Sequence, residues 1–170
     1  MKKLAIALIL LALPLFGQTA PASDPFKDLA FLRGPWEANV QGGEITSRGT
    51  YTFKPELDNH ILSRKSVNKA SCKDPADFDC EHSDLLYVYV DAPGAPLKAI
   101  YFDNGGHVIH YNVTTPTPTT AVFLSDGSQP GPVFRITYEL KGAIMAGKFQ
   151  MQMPGQTDWK SYLEWSGGRK

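Results

Sequence analysis

From Trp36 onward, apolar and polar residues alternate in short runs instead of recurring every three or four positions. In Val133–Leu140, Phe134, Ile136, Tyr138 and Leu140 share one side, and Arg135, Thr137 and Glu139 share the other. In Ala143–Met153, Met145, Phe149, Met151 and Met153 oppose the mainly polar set Ile144, Lys148, Gln150 and Gln152. Tyr51 and Phe53 oppose Arg48, Thr50 and Lys54; near the end of the chain Trp159, Leu163 and Trp165 oppose Lys160, Tyr162 and Glu164. Successive side chains of a strand point to opposite faces, so the pattern predicts half-buried strands whose inner face is rich in aromatics and methionine.

Ten such segments are predicted: Trp36–Gln41, Ser47–Lys54, Ile61–Asn68, Leu85–Asp91, Leu97–Asp103, His107–Thr114, Thr120–Asp126, Val133–Leu140, Ala143–Met153 and Trp159–Ser166. Turn residues separate them, as in Gln41-Gly42-Gly43-Glu44, Asn104-Gly105-Gly106 and Lys141-Gly142, and Thr114–Thr120 reads as a stiff connection. Short strands joined by tight turns imply an antiparallel meander, and closing it removes both exposed edges. The expected fold is therefore all-β, an antiparallel up-and-down β-barrel of about ten strands. One short helix is predicted over Asp24–Leu32, with Ser23 or Asp24 as its cap and Pro25 in its first turn.

The first residues change the picture of where this barrel works. Lys2 and Lys3 precede an apolar run from Leu4 to Phe16, and Ala20-Pro21-Ala22 supplies small residues for cleavage. That is the pattern of a secretory signal peptide, too short to span a bilayer. The expectation is a leader over 1–22, a single domain over 23–170, and a periplasmic or secreted protein without stable membrane insertion. An uncleaved anchor is the alternative. Of 170 residues, 148 would remain, with 15 basic against 17 acidic residues, a formal charge of −2. No basic face stands out, so nucleic acid is a poor partner.

An exported chain gives its two cysteines a role. Cys72 and Cys80 flank a polar stretch containing Pro75 and three aspartates, and an oxidising compartment favours their pairing. Closing so short a loop stabilises by about 2–3 kcal/mol on a chain-entropy argument. A zinc site from Cys72, Cys80, His82 and a carboxylate has no usual ligand spacing, and no metal is expected.

The stretch DNGGHVIHYN holds the most suggestive chemistry. His107 and His110 fall on opposite faces of a strand, so they cannot chelate one ion together. Ile109, Tyr111 and Val113 share the phase of His107, which puts His107 inward near a barrel mouth; Val108 on the other face keeps the opposite phase open. There His107 is a polar contact for a ligand or a turn-flanking histidine bonded to backbone or water. Asp103 reads as a turn-former, and an Asp103–His107 dyad could transfer protons if the two face each other. Gly-x-Ser-x-Gly is missing, which leaves an acyl-transfer triad unsupported. The inner methionines and aromatics either fill the barrel or line a cavity. Trp36 suits a floor residue, with Arg169 stacked on it.

FLRGPW at Phe31–Trp36 carries a Gly-x-Trp, and GTYTFKPELDNHIL, YFDNGG, FRITYEL and WKSYLEWSGGRK follow in order. Together these resemble a family of bacterial lipocalin-like domains of the calycin superfamily with no assigned function, over nearly all of the chain after the leader. The resemblance implies a ten-stranded barrel with a central cavity and no established reaction. Nitrobindin-like barrels are more distantly similar, and they hold haem through a histidine on a late strand. No histidine follows His110, and Gly34-Pro35-Trp36-Glu37-Ala38 lacks the second glycine of their opening motif. No cofactor is expected.

The leading functional expectation is a barrel that binds a small apolar or amphipathic molecule. Tyr51, Phe53, Tyr111, Phe149 and Met151 would line the site, with His107 at the mouth. Two rivals stand beside it: a cavity acid–base enzyme using His107, and an interaction module presenting the Cys72–Cys80 loop.

Overall fold

The computed structural model describes residues 24–40, 47–70, 82–128 and 130–170. Ten antiparallel strands close on themselves, each bonded to its neighbours in sequence and the first to the last. They are β1 (Gly34–Val40), β2 (Ser47–Glu56), β3 (Ile61–Ala70), β4 (Ser83–Tyr89), β5 (Lys98–Asp103), β6 (Val108–Thr117), β7 (Thr120–Ser125), β8 (Val133–Lys141), β9 (Ile144–Gln152) and β10 (Lys160–Gly167). Closure gives every strand two partners, so among the described residues no sheet edge is left open. Each predicted segment has its strand, with ends displaced by a few residues. The leader over 1–22 and both cysteines lie outside the described residues.

Three details differ from expectation. The helix is a 3-10 segment confined to Lys27–Leu32, because the Asp24 carboxylate takes the Phe26 N–H at 2.9 Å and turns the chain before a helix can start. The Thr-Pro stretch is no separate connection. β6 continues to Thr117, with its register against β7 shifted between Thr114 and Thr117. In β10 the register against β9 shifts between Ser161 and Leu163, which reverses the phase of everything before it. Trp159 therefore leaves the face of Leu163 and Trp165 and lies under the Arg135 guanidinium, 4.0 Å from the ring centre.

The barrel has two unlike ends. At the end where β1 starts, the 3-10 helix buries Phe26, Leu29 and Leu32 against Trp36, whose indole N–H donates to the Leu32 carbonyl at 2.8 Å. Arg169 covers the other face of that floor. Its guanidinium carbon lies 4.4 Å from the Trp36 ring centre, and Nη1 donates to the Arg33 carbonyl at 2.6 Å. Asp24 joins the plug to the β2–β3 turn through Arg33 at 2.6 Å and Asn59 at 2.8 Å. Above this floor Leu62, Val88, Ala99, Ala121 and Met145 are buried on the inward phases of their strands. The plugged half is packed solid.

At the opposite end the inward residues Ile109, Phe134, Phe149, Met151 and Leu163 are only half-buried. They sit at the ends of β6, β8, β9 and β10 farthest from the plug.

Candidate functional site

Halfway along the barrel the inward phase stops being apolar. On β3 the inward residues run Leu62, Arg64, Ser66, and on β4 they run Asp84, Leu86, Val88. Arg64 is 5% exposed, so its charge must be met inside the protein. Its Nη2 donates to Asp84 Oδ1 and its Nη1 to the Tyr138 hydroxyl. Burial by itself would raise the Asp84 carboxyl; Arg64, with His82 beside it, holds it below the ordinary carboxylate value.

From this pair a run of polar contacts leads outward. His82 Nε2 is 3.5 Å from Asp84 Oδ2 and 3.1 Å from the Tyr101 hydroxyl. Tyr101 donates to Asp103 Oδ2 at 3.3 Å, and Asp103 meets His107 Nδ1 at 3.0 Å. Tyr138, Arg64, Asp84, His82, Tyr101, Asp103 and His107 thus form one connected line from the barrel centre to its open rim.

Tyr138 also centres the aromatic packing. Its ring lies 5.8 Å from Tyr51, 5.5 Å from Phe53, 5.9 Å from Phe123 and 5.7 Å from Trp165. Gly147 makes room for Trp165, since a Cβ there would collide with the indole. The phenols of Tyr51, Tyr101, Tyr111 and Tyr138 are all pushed up by burial, and all four feel the Arg64 charge.

Four polar atoms in this interior are buried without a close hydrogen bond among the described residues: Arg64 Nε, the Tyr51 and Tyr111 hydroxyls, and Trp165 Nε1; of these, Trp165 Nε1 is directed at the Tyr51 oxygen, which leaves Arg64 Nε and the Tyr111 hydroxyl with no partner. Two of the four can only donate, and the two hydroxyls can donate or accept. Buried polar groups are nearly always paired in folded proteins, so the unpartnered two ask for a reason.

Of the residues expected to line a ligand site, Tyr51 and Tyr111 come together around Arg64, and Phe149 and Met151 stand on the half-buried rim above. Phe149 is stacked on Phe134, with centroids 5.7 Å apart and planes at 17°. Phe53 is buried edge-on between Tyr51 and Tyr138 in the packed interior. His107 falls in the β5–β6 turn just before β6 begins, its side chain 64% exposed, because Asp103 Oδ1 draws both the Gly105 and His107 N–H groups into a tight turn. Asp103 is thus a turn-former and the histidine's partner at once. Cys72 and Cys80 fall outside the described residues.

Arg64, Asp84, His82, Tyr101 and Trp165 were not among the expected site residues. The signal was present for the first two: each stands in phase with buried leucines of its own strand, Leu62 for Arg64 and Leu86 for Asp84.

The fold and site define the class: a closed ten-stranded antiparallel β-barrel, plugged at one end, with an ion pair and a phenol cluster in its interior. Among known proteins the chain matches no family model and no curated sequence.

Proposed function

We propose that this protein is an exported, lipocalin-like barrel that holds a small amphipathic molecule in its open half. The observation that carries this reading is the group of buried polar atoms on Arg64, Tyr51, Tyr111 and Trp165 without a close hydrogen bond, of which Arg64 Nε and the Tyr111 hydroxyl have no partner among the described residues. Leaving a buried polar group unpaired costs about 1–3 kcal/mol, a burden that a ligand's polar end would lift. Its apolar body would lie against Ile109, Phe134, Phe149, Met151 and Leu163, which are half-buried and inward-facing. Apolar walls with a few placed polar groups are the usual composition of a small-molecule site.

Native mass spectrometry of protein purified from an oxidising compartment tests this. A discrete co-purifying mass, lost in a Met151→Arg variant that still folds, supports the reading. An unliganded mass, together with failure of an apolar dye to bind, overturns it.

The Asp103–His107 contact at 3.0 Å favours a second reading, an acid–base catalyst at the rim. It requires that turnover of a bound substrate vanish in His107→Gln while binding persists. Equal turnover in that variant removes it.

A further inference from the structure

We propose that the polar end of the ligand is an uncharged hydrogen-bond acceptor, a carbonyl of the ester, ketone or amide kind, seated among Arg64 Nε and the Tyr51 and Tyr111 hydroxyls. This deepens the binding reading above and rests on it.

The argument starts from what the floor offers. Arg64 Nε and Trp165 Nε1 can only donate. Tyr51 and Tyr111, 3% and 2% exposed, bring two hydroxyls that donate as readily as they accept. With the Trp165 N–H directed at the Tyr51 oxygen, the Tyr51 O–H is left to donate, and three groups able to donate, Arg64 Nε and the Tyr51 and Tyr111 hydroxyls, select a group that accepts. A ligand ending in an ammonium or a bare N–H donor has little to bind here.

Charge then separates the acceptors. The guanidinium of Arg64 is already matched, with Nη2 on the Asp84 carboxylate and Nη1 on Tyr138. Asp103, its side chain 5% exposed, adds a second carboxylate on the same side of the barrel, where it meets His107, and His82 stands between Asp84 and Tyr101. The charge of Arg64 is thus already matched by Asp84 inside the barrel. A ligand carboxylate would leave water for a floor with no positive charge to spare, and desolvating an ion without a dedicated counter-ion is strongly unfavourable. A neutral carbonyl makes the same hydrogen bonds without that cost.

Three probes of one chain length decide the matter by calorimetric titration of the mature protein at neutral pH: methyl dodecanoate, dodecanoate and dodecylammonium. The ester is expected to bind at least about tenfold more tightly than either the carboxylate or the ammonium. In a Tyr51→Phe/Tyr111→Phe variant, which keeps both rings, ester affinity is expected to fall about tenfold while an apolar dye binds as before. Dodecanoate binding as tightly as the ester, or an ester affinity unmoved in that variant, overturns the carbonyl assignment and leaves binding intact. Failure of every probe and of the dye overturns the binding reading itself, and this inference falls with it.

Discussion

Two tyrosines of this barrel should respond to the same substitution with opposite signs. Tyr111 and Tyr138 are both buried, with rings packed edge-on against Phe123 at 6.3 Å and 5.9 Å. Replacing either by Phe keeps the ring and removes one hydroxyl. At Tyr111 that hydroxyl has no partner among the described residues, so the change relieves an unpaired polar group. The relief is about 1–3 kcal/mol, reduced by the small void left behind, for a net gain near 1 kcal/mol in the unliganded protein. At Tyr138 the hydroxyl accepts from Arg64, and its loss takes a partner from a buried guanidinium. Hydrogen bonds to charged groups are the stronger ones, so the expected loss is about 2 kcal/mol. Urea titration of both variants and the parent, fitted to a two-state transition, measures the difference, about 3 kcal/mol between the two variants. A Tyr111→Phe variant destabilised as much as Tyr138→Phe would refute the reasoning, because it would mean that the Tyr111 hydroxyl is paired as firmly as its counterpart.

Raising the pH probes the same interior from another side. Burial holds the phenols of Tyr51, Tyr101, Tyr111 and Tyr138 above their ordinary value of 10, so their contribution to stability is whole below that pH and is lost as pH rises beyond it. Each such phenol that must stay neutral in the fold costs about 1.4 kcal/mol per pH unit above 10; spectrophotometric titration should show late phenolate formation coinciding with unfolding. Smooth ionisation of all the tyrosines near pH 10 with the fold intact would contradict this. Removing one partner of the buried Arg64–Asp84 pair, as in Asp84→Asn or Arg64→Met, should cost about 3–5 kcal/mol, and replacing both by apolar residues should cost much less. In the parent protein the Asp84 contribution is present above its ordinary value of 3.8 and is lost as pH falls through its lowered folded value, which acid titration of stability, with Asp84→Asn as control, will reveal.

The strands were legible because alternation and turn chemistry agree in every segment, and a chain of hairpins has few ways to bury one face. Phe134, Ile136 and Tyr138 announce β8 without help from tertiary contacts. What escaped were local exceptions to period two. The register shift before Leu163 adds one residue to β10 and sends Trp159 outward, and no residue type there marks it. His107 has the phase of Tyr111 yet lies beyond the strand, because the Asp103 carboxylate fixes a turn that ends only at His107. Tyr51 and Tyr111 were found as large apolar bodies on an inward face, but the polar half of the site was not. Arg64 and Asp84 break their alternation, and each looks like an outward residue until its strand's phase is set by Leu62 and Leu86. Their pairing spans 20 residues, and the contact with Tyr138 spans 74, separations that no local pattern encodes.

The contrast between the two halves of the barrel explains how such an interior survives. Burying a large apolar side chain gains about 1.5–3 kcal/mol, and the plugged half buries Phe26, Leu29, Leu32, Trp36, Leu62 and Met145 with almost no exposure. Two unpaired polar atoms, Arg64 Nε and the Tyr111 hydroxyl, cost on the order of 2–6 kcal/mol if neither meets water, a large share of the net stability of many domains. A fold selected for stability alone would replace Tyr111 by Phe and lose no hydrogen bond that the described residues show. Keeping that hydroxyl beside an arginine already matched to Asp84 and Tyr138 points to a group that arrives from outside, and the half-buried residues Phe149 and Met151 stand at the end away from the plug.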